Sequence, residues 1–233
     1  RPQSPCSRSA SLWPMPAIGE HHPAFEEYCE CIFELQEDDV VVIQARIADR
    51  LQVSRPAVSE MVRRLEAEGL VTTDGSIVLT ETGLALARQT VRRHRLAERF
   101  LTDMLGLSWA VAHHEAGKWE HVMSGEVEEA LDRVLGSPTT CPHGNPIPGS
   151  SYAAPITVSL AEIGVGKAFT VARITEELEF TPGLLDFLEE SSILPGHKGL
   201  ITASSPDGTV TVEIEGRHVG VGAFASNRIL VIA

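Results

Sequence analysis

The sequence predicts a mainly α-helical chain with a winged helix-turn-helix near its start and a small β-rich domain at its end. Three observations predict it. Helical periodicities recur between residues 24 and 135, and an Asp-Gly hairpin signal follows the third of those helices. Beyond a stretch with four prolines, residues 137–151, the apolar period changes from about 3.6 to two.

The first helix is expected over Ala24 to Glu37, where Tyr28, Ile32 and Leu35 fall on one face. Ile43, Ile47, Ala48 and Leu51 mark a short second helix. Ser54 is a cap for the third, with Pro56 in its first turn, Val58, Val62 and Leu65 on its apolar face, and Gly69 as its stop. Two extended runs, 70–73 and 77–80, are joined by Asp74-Gly75, a hairpin turn signal. One long helix is expected from Glu81 to Leu105, another after Ser108, and a further one ending near Leu135. In the last third, Val210, Val212 and Ile214 alternate with Thr209, Thr211 and Glu213. Asp207-Gly208 and Glu215-Gly216 supply turns there, and Leu185 and Leu188 sit in a short helix between strands.

Composition narrows the function classes. The 233 residues are 43% hydrophobic and 22% charged, ordinary for a globular protein, and no eighteen-residue apolar run is present, so no membrane partner is expected. Residues 1–20 lack the apolar stretch of a signal peptide and read as a disordered tail, with Met15 as a candidate natural start. Cys6, Cys29, Cys31 and Cys141 form neither a disulfide framework nor a zinc-finger spacing, which fits a reducing cytoplasm. The net charge of −13 hides one positive segment: residues 43–100 carry ten arginines against seven acids, and every other segment is acidic. An acidic body with one basic face steers a polyanion to that face.

That basic segment contains the helix-turn-helix pattern, with Leu51-Gln52-Val53-Ser54 as the turn. Its second helix would enter the major groove of double-stranded DNA, N-terminal residues first. Ser54, Arg55, Pro56, Ala57, Ser59, Glu60, Arg63 and Arg64 are the candidate DNA-contacting residues. Arginine pairs with guanine edges or phosphate, serine with phosphate, and glutamate accepts from cytosine. The alternative is a three-helix core with a merely solvated charged face.

Seven of the nine histidines precede the β-rich region, several beside carboxylates. His94 and Glu98 stand i, i+4 on the long helix; Glu27 and Glu30 stand i, i+3 on the first. His113, His114, Glu115, Glu120 and His121 are assigned to the helix after Ser108. Imidazole and carboxylate together suit manganese, iron, zinc, cobalt or nickel. The residues after His114-Glu115 are Ala116, Gly117 and Lys118, so no hydrolytic His-Glu-x-x-His signature is present. Cys141-Pro142-His143 lies in the Pro-rich stretch and is read as structural, His21-His22 as tail, and Cys29 and Cys31 as packing.

The chain resembles the diphtheria-toxin-repressor family, which includes iron-dependent regulators and manganese transport regulators. The likeness is carried by Glu27-Tyr28 with Ile32-Phe33-Glu34-Leu35, by Ile47-Ala48-Asp49-Arg50-Leu51, and by Ser54-Arg55-Pro56-Ala57-Val58-Ser59. It continues through Arg93-His94-Arg95-Leu96-Ala97-Glu98, Trp119-Glu120-His121-Val122-Met123-Ser124 and Gly144-Asn145-Pro146-Ile147-Pro148-Gly149. The resemblance implies a repressor that binds operator DNA as a homodimer when loaded with metal and controls manganese or iron uptake genes. It divides the chain into a tail (1–20), a winged helix-turn-helix domain (21–82), a helical metal-binding and dimerisation domain (83–140), a linker (141–152) and an SH3-like domain (153–233).

The resemblance also implies two metal sites, one at His94, Glu98 and His113, the other at Glu27, Glu120 and His121, with Glu30 holding a further ion. A carboxylate at position 27, where iron-type members have methionine, points to Mn(II), with Fe(II) as the alternative. Gly117 departs from the pattern, because iron-type members place a cysteine there and manganese-type members a glutamate; His114 or a water is expected to fill the gap. The C-terminal domain donates ligands in the family, and Glu176, Glu177 and Glu179 are all candidates. Glu60 stands where iron-type members have glutamine, so the operator sequence is not transferable. Outside this family, the competing reading is a metal-dependent hydrolase built on the same His/Glu cluster.

Overall fold

The computed structural model describes residues 22–233; the expected tail, Cys6 and His21 lie outside the described residues. His22 is the N-cap of the first helix, α1 (Pro23–Glu37), and its ring accepts from the Ala24 amide. α2 (Gln44–Leu51) and α3 (Arg55–Ala67) follow, separated by a turn in which Gln52 takes a left-handed conformation (φ 53°). The Gln52 side chain donates to the Asp49 carbonyl and anchors that turn. Ser54 caps α3 by accepting from the Ala57 amide at 3.3 Å, a contact worth about 1 kcal/mol. The wing is shorter than its sequence signal: β1 (Val71–Thr72) pairs with β2 (Val78–Leu79) over two residues each. Ile32, Ile47, Val58, Val62, Leu65 and Leu70 form the core of this region.

α4 (Glu81–Arg99) lies against α1 and runs on through a π-helical turn at Phe100–Met104. The widening has a local cause. Thr102 Oγ1 donates back to the carbonyls of Glu98 and Arg99, which loosens the α-helical ladder. α5 (Trp109–Trp119) and α6 (Gly125–Val134) complete the helical part, tied to α4 where Glu128 accepts from both Arg92 and Arg93. α5 stops at Trp119, so Glu120 is its C-cap and His121 lies in the turn beyond rather than on the helix. The core here is small, with Ala97, Leu101, Ala112, Ala116, Met123 and Leu131.

The Pro-rich stretch is not a loose tether. Residues 141–145 are buried, and only from Ser151 to Ile156 does the chain become mostly exposed. Gly144 explains how the strap packs: its φ is +89°, and a Cβ would lie 2.3 Å from the Ala172 carbonyl oxygen. The last third is an antiparallel sheet of β3 (Val158–Ser159), β4 (Ala168–Ile174), β5 (Lys198–Ser204), β6 (Val210–Ile214), β7 (Arg217–Val221) and β8 (Ile229–Ile232), ordered β3-β8-β4-β5-β6-β7. α7 (Glu176–Glu179) and α8 (Leu184–Glu190) follow β4, and α9 (Ala223–Ser226) precedes β8. Val210, Val212 and Ile214 point into the core as their alternation predicts, and Glu215-Gly216 makes the β6–β7 turn with both φ angles positive. The architecture is a winged-helix region, a helical region and an SH3-like sheet.

Candidate metal centres and nucleic-acid interface

α4 presents His94 and Glu98 on one face, and α5 brings His113 to meet them. Glu98 Oε1 lies 2.9 Å from His113 Nδ1 and 3.3 Å from His94 Nε2. The buried strap adds His143, whose Nδ1 is 3.6 Å from the same oxygen, and Cys141, whose Sγ is 3.8 Å from that nitrogen. α7 of the sheet domain adds Glu179, with Oε2 2.9 Å from His143 Nδ1 and 3.3 Å from His113 Nδ1. Trp109 packs edge-to-face on the His143 ring at 4.6 Å. Four separate segments thus converge on one buried cluster. Cys141 and His143, expected from sequence to be structural, both lie beside Glu98.

A second, more open cluster lies alongside. His94 Nδ1 is 2.5 Å from Glu120 Oε2, and Glu30 joins them from α1. His121 Nδ1 is 2.7 Å from Glu26 Oε2, whereas Glu27, the residue selected from sequence, is exposed and lines the adjoining cavity. That cavity, about 460 Å³, is also lined by His114, Gly117 and Glu30. His114 is exposed, and a Cβ at Gly117 would meet nothing within 4 Å. Among the described residues, the donor atoms of three triads lie within 4.8 Å of one another: His94, Glu98, His113; Glu98, Cys141, His143; and Glu30, His94, Glu120.

Electrostatics match a cation site. Burial disfavours a charged His113, but the Glu179 and Glu98 carboxylates outweigh it and raise its pKa to about 10. His94 and His143 are raised against the same desolvation, by Glu98 with Glu120 and by Glu179 with Glu98 respectively. Burial pushes Glu179 up, but His143 and its other partners carry it down to about 2. Glu30 moves the other way: burial and the neighbouring Glu120 hold its carboxyl well above the usual range. Burial likewise pushes the Cys141 thiol up, helped by Glu98. Two buried donor atoms, Glu30 Oε1 and His143 Nε2, have no hydrogen-bond partner. Oxygen and nitrogen donors with unspent valence in a low-dielectric site fit a divalent ion.

The predicted DNA face, along α3, is largely solvent-exposed. Arg55, Pro56, Ala57, Glu60, Arg63 and Arg64 are exposed with the cap residue Ser54, and Ser59 is half-buried. Arg63 donates to Glu60 and to Ser59, an exposed arrangement worth under about 1 kcal/mol and easily exchanged for phosphate. Arg64 packs its guanidinium 5.2 Å from the centre of the Phe25 ring.

These features agree with what the chain is similar to. Residues 22–76 match the iron dependent repressor N-terminal DNA binding domain, and residues 80–149 the iron dependent repressor metal binding and dimerisation domain. The iron-dependent repressor IdeR of Mycobacterium leprae is 40% identical over 206 residues, covering 83% of this chain and 89% of the relative. The diphtheria toxin repressor of Corynebacterium diphtheriae is 48% identical over 145 residues, covering 61% and 60%. Among solved structures, a manganese-dependent transcriptional repressor in complex with manganese superposes with a TM-score of 0.81 at 32% identity, covering 90% of this chain and 99% of that one. The manganese regulator SloR superposes at 0.72 with 30% identity, covering 89% and 97%. The chain therefore belongs to the iron-dependent repressor family, whose members are metal-dependent, DNA-binding transcriptional repressors rather than enzymes.

Proposed function

We propose that this repressor binds double-stranded operator DNA as a homodimer when loaded with Mn(II), and so controls manganese or iron uptake genes. The observation that carries the metal choice is the donor set of the open cluster, where Glu30, His94 and Glu120 supply only oxygen and nitrogen, and the Cys31 thiol lining the same cavity is held protonated by its burial. Hard oxygens suit Mn(II), and geometry rather than raw affinity must exclude later metals. Glu27, Glu120, His121 and Glu30 are the proposed ligands of this site, with Glu26 as an added candidate and His114 or a water in place of a ligand at Gly117. The closed cluster is the proposed second site: His94, Glu98 and His113, extended by Cys141, His143 and Glu179. One observation favours iron there, the softer Cys141 thiol beside Glu98. A bound ion supplies the positive charge that holds these carboxylates together; the chain supplies their positions.

For DNA, Ser54 to Ala57 at the start of α3 and Ser59, Glu60 and Arg63 along it are the proposed contacts, with Arg64 at the backbone. Exposed Met104, Leu105, Val111, Val122, Val127 and Val134 support a homodimer through the helical region, whose own core is small. The proposed domain limits are 21–82, 83–140, 141–152 and 153–233. Among the described residues, no helix is long and apolar enough to cross a membrane.

The test is fluorescence anisotropy on promoter DNA at fixed salt, comparing Mn²⁺ with Fe²⁺ under anaerobic conditions. Mn²⁺ should tighten binding and chelator should reverse it. Tighter binding with Fe²⁺ would replace the manganese reading by the iron one, and chelator-insensitive binding would sink both.

A further inference from the structure

A network of ionic and amide contacts leads from the closed cluster through the sheet domain to the first helix of the DNA-binding region. It starts at Glu179, whose Oε1 accepts from Asn145 Nδ2 at 2.5 Å. Asn145 is fully buried, and its Oδ1 accepts from Arg173 Nε. Arg173 lies at a register shift in β4, and its Nη2 donates to Asp38 Oδ1 at 2.6 Å and Glu37 Oε2 at 3.1 Å. Glu37 and Asp38 are the end and C-cap of α1, the helix that carries Glu30 and packs under the helix-turn-helix. Arg95 of α4 closes the loop, pairing with Glu37 at 2.7 Å and with Glu176 of α7 at 2.6 Å.

The chemistry of the relay is directional. Asn145 accepts from a cation on one side and donates to a carboxylate on the other, which neither aspartate nor a hydrocarbon side chain can do. Arg173 serves Asn145 from Nε and Glu37 with Asp38 from Nη2, two nitrogens of one planar fork where lysine has a single ammonium. Both partners are nearly buried: the Arg173 side chain is 13% exposed and that of Asp38 4%. Breaking such a contact leaves an uncompensated charge, so the relay is made or broken as a unit.

We infer that Arg173 is a positioning residue that couples the Glu179 end of the metal cluster to the C-terminal end of α1, and through α1 to the helix-turn-helix. The inference rests on the metal-dependent repressor reading and deepens it. Glu179 belongs to the sheet domain and Glu98 to α4, so an ion held between them fixes the sheet domain against the helices. Arg173 is carried on that sheet and holds α1 by Glu37 and Asp38. A second sheet-domain residue bridges the same elements: Phe180 meets His113 edge-to-face at 5.2 Å and takes the Arg50 guanidinium of α2 at 4.5 Å.

The test uses the full chain as wild type, Arg173→Met and Asp38→Asn, the second variant entering the same contact from the other side. The probe is a duplex selected from a random pool by the Mn²⁺-loaded wild type. Duplex affinity is measured with saturating Mn²⁺ and with chelator, and Mn²⁺ affinity with and without duplex. Both variants should lose at least about fivefold of the Mn²⁺ stimulation of duplex binding, and the duplex should lose the same factor in tightening Mn²⁺. Mn²⁺ affinity without duplex should stay within about threefold of wild type. Unchanged stimulation in Asp38→Asn overturns the proposal, and that variant decides alone if Arg173→Met does not fold. A parallel loss of duplex-free Mn²⁺ affinity also overturns it, because Arg173 would then merely support the ligand. Duplex binding by wild type that ignores Mn²⁺ overturns the repressor reading itself, and is seen before any variant is compared.

Discussion

The two clusters share His94 but differ in how far they are closed off from solvent. The closed cluster draws Glu98, His113, His143, Cys141 and Glu179 from four segments, and its carboxylate and imidazole donors are already paired with one another. The open cluster adds residues from α1 and the end of α5 to His94 and faces a cavity of about 460 Å³ that Gly117 also lines. Both are held by the protein's own His–carboxylate pairs, His94–Glu120 and His121–Glu26 in the open cluster and His113–Glu98 and His143–Glu179 in the closed one. They differ in enclosure: the buried strap walls one, and the other faces the cavity.

The largest effect should come from pH. His113 stays protonated up to about 10 in the metal-free chain, so a metal must displace that proton. Apparent Mn²⁺ affinity of the closed cluster should rise by about tenfold per pH unit for each proton displaced, measured between pH 6 and 8. The sign reverses for metal-free stability. The raised His113 pKa contributes fully below its usual 6.5 and is lost as pH climbs through about 10, so the thermal midpoint should fall over that window. A midpoint that rises there would break the comparison.

Glu98→Gln comes next, because that carboxylate serves two of the three triads. It should cost about 100-fold or more in Mn²⁺ affinity by chelator competition, with loss of metal-stimulated DNA binding. His143→Ala should cost roughly 10- to 100-fold at the closed cluster and leave the open one unchanged. Equal losses at both would show that they are one site. Gly117→Glu adds the missing oxygen where space is open, and should tighten the open cluster by about tenfold, at the low end of what a support residue contributes. Gly117→Ala is its control: urea unfolding should show a gain of about 0.5–1 kcal/mol from helix propensity alone, with Mn²⁺ affinity unchanged. The smallest effect is expected for exposed His114→Ala, about threefold on the open cluster, and no change would assign the gap to water.

How much of this the sequence carried depended on distance along the chain. The helix-turn-helix was legible because Val58, Val62 and Leu65 repeat at helical spacing, Ser54 and Gly69 bracket them, and Asp74-Gly75 turns the wing. His94 with Glu98 was legible for the same reason, being one helical turn apart. Glu27 was chosen over Glu26 from the resemblance, yet adjacent helix positions point about 100° apart, and the phase at a helix start is set by what it packs on. Glu120 and His121 were placed on α5, but the helix ends at Trp119. Cys141 and His143 read as structural from the sequence, and Glu179 is there only one of three candidate carboxylates. Their nearness to Glu98 depends on a buried strap and a docked sheet domain, and neither leaves a periodic trace.

The exposed stretch from Ser151 to Ile156 also sets how the response scales with the amount of protein. Because so short a connection joins the strap to the sheet domain, Glu179 meets Glu98 at an effective concentration of about millimolar, whatever the number of molecules in solution. Docking of the sheet domain is therefore first order, and dilution leaves it untouched. Pairing of two chains is second order and fades on dilution. A dilution series of Mn²⁺ binding and DNA binding should therefore diverge, the first staying flat while the second falls away.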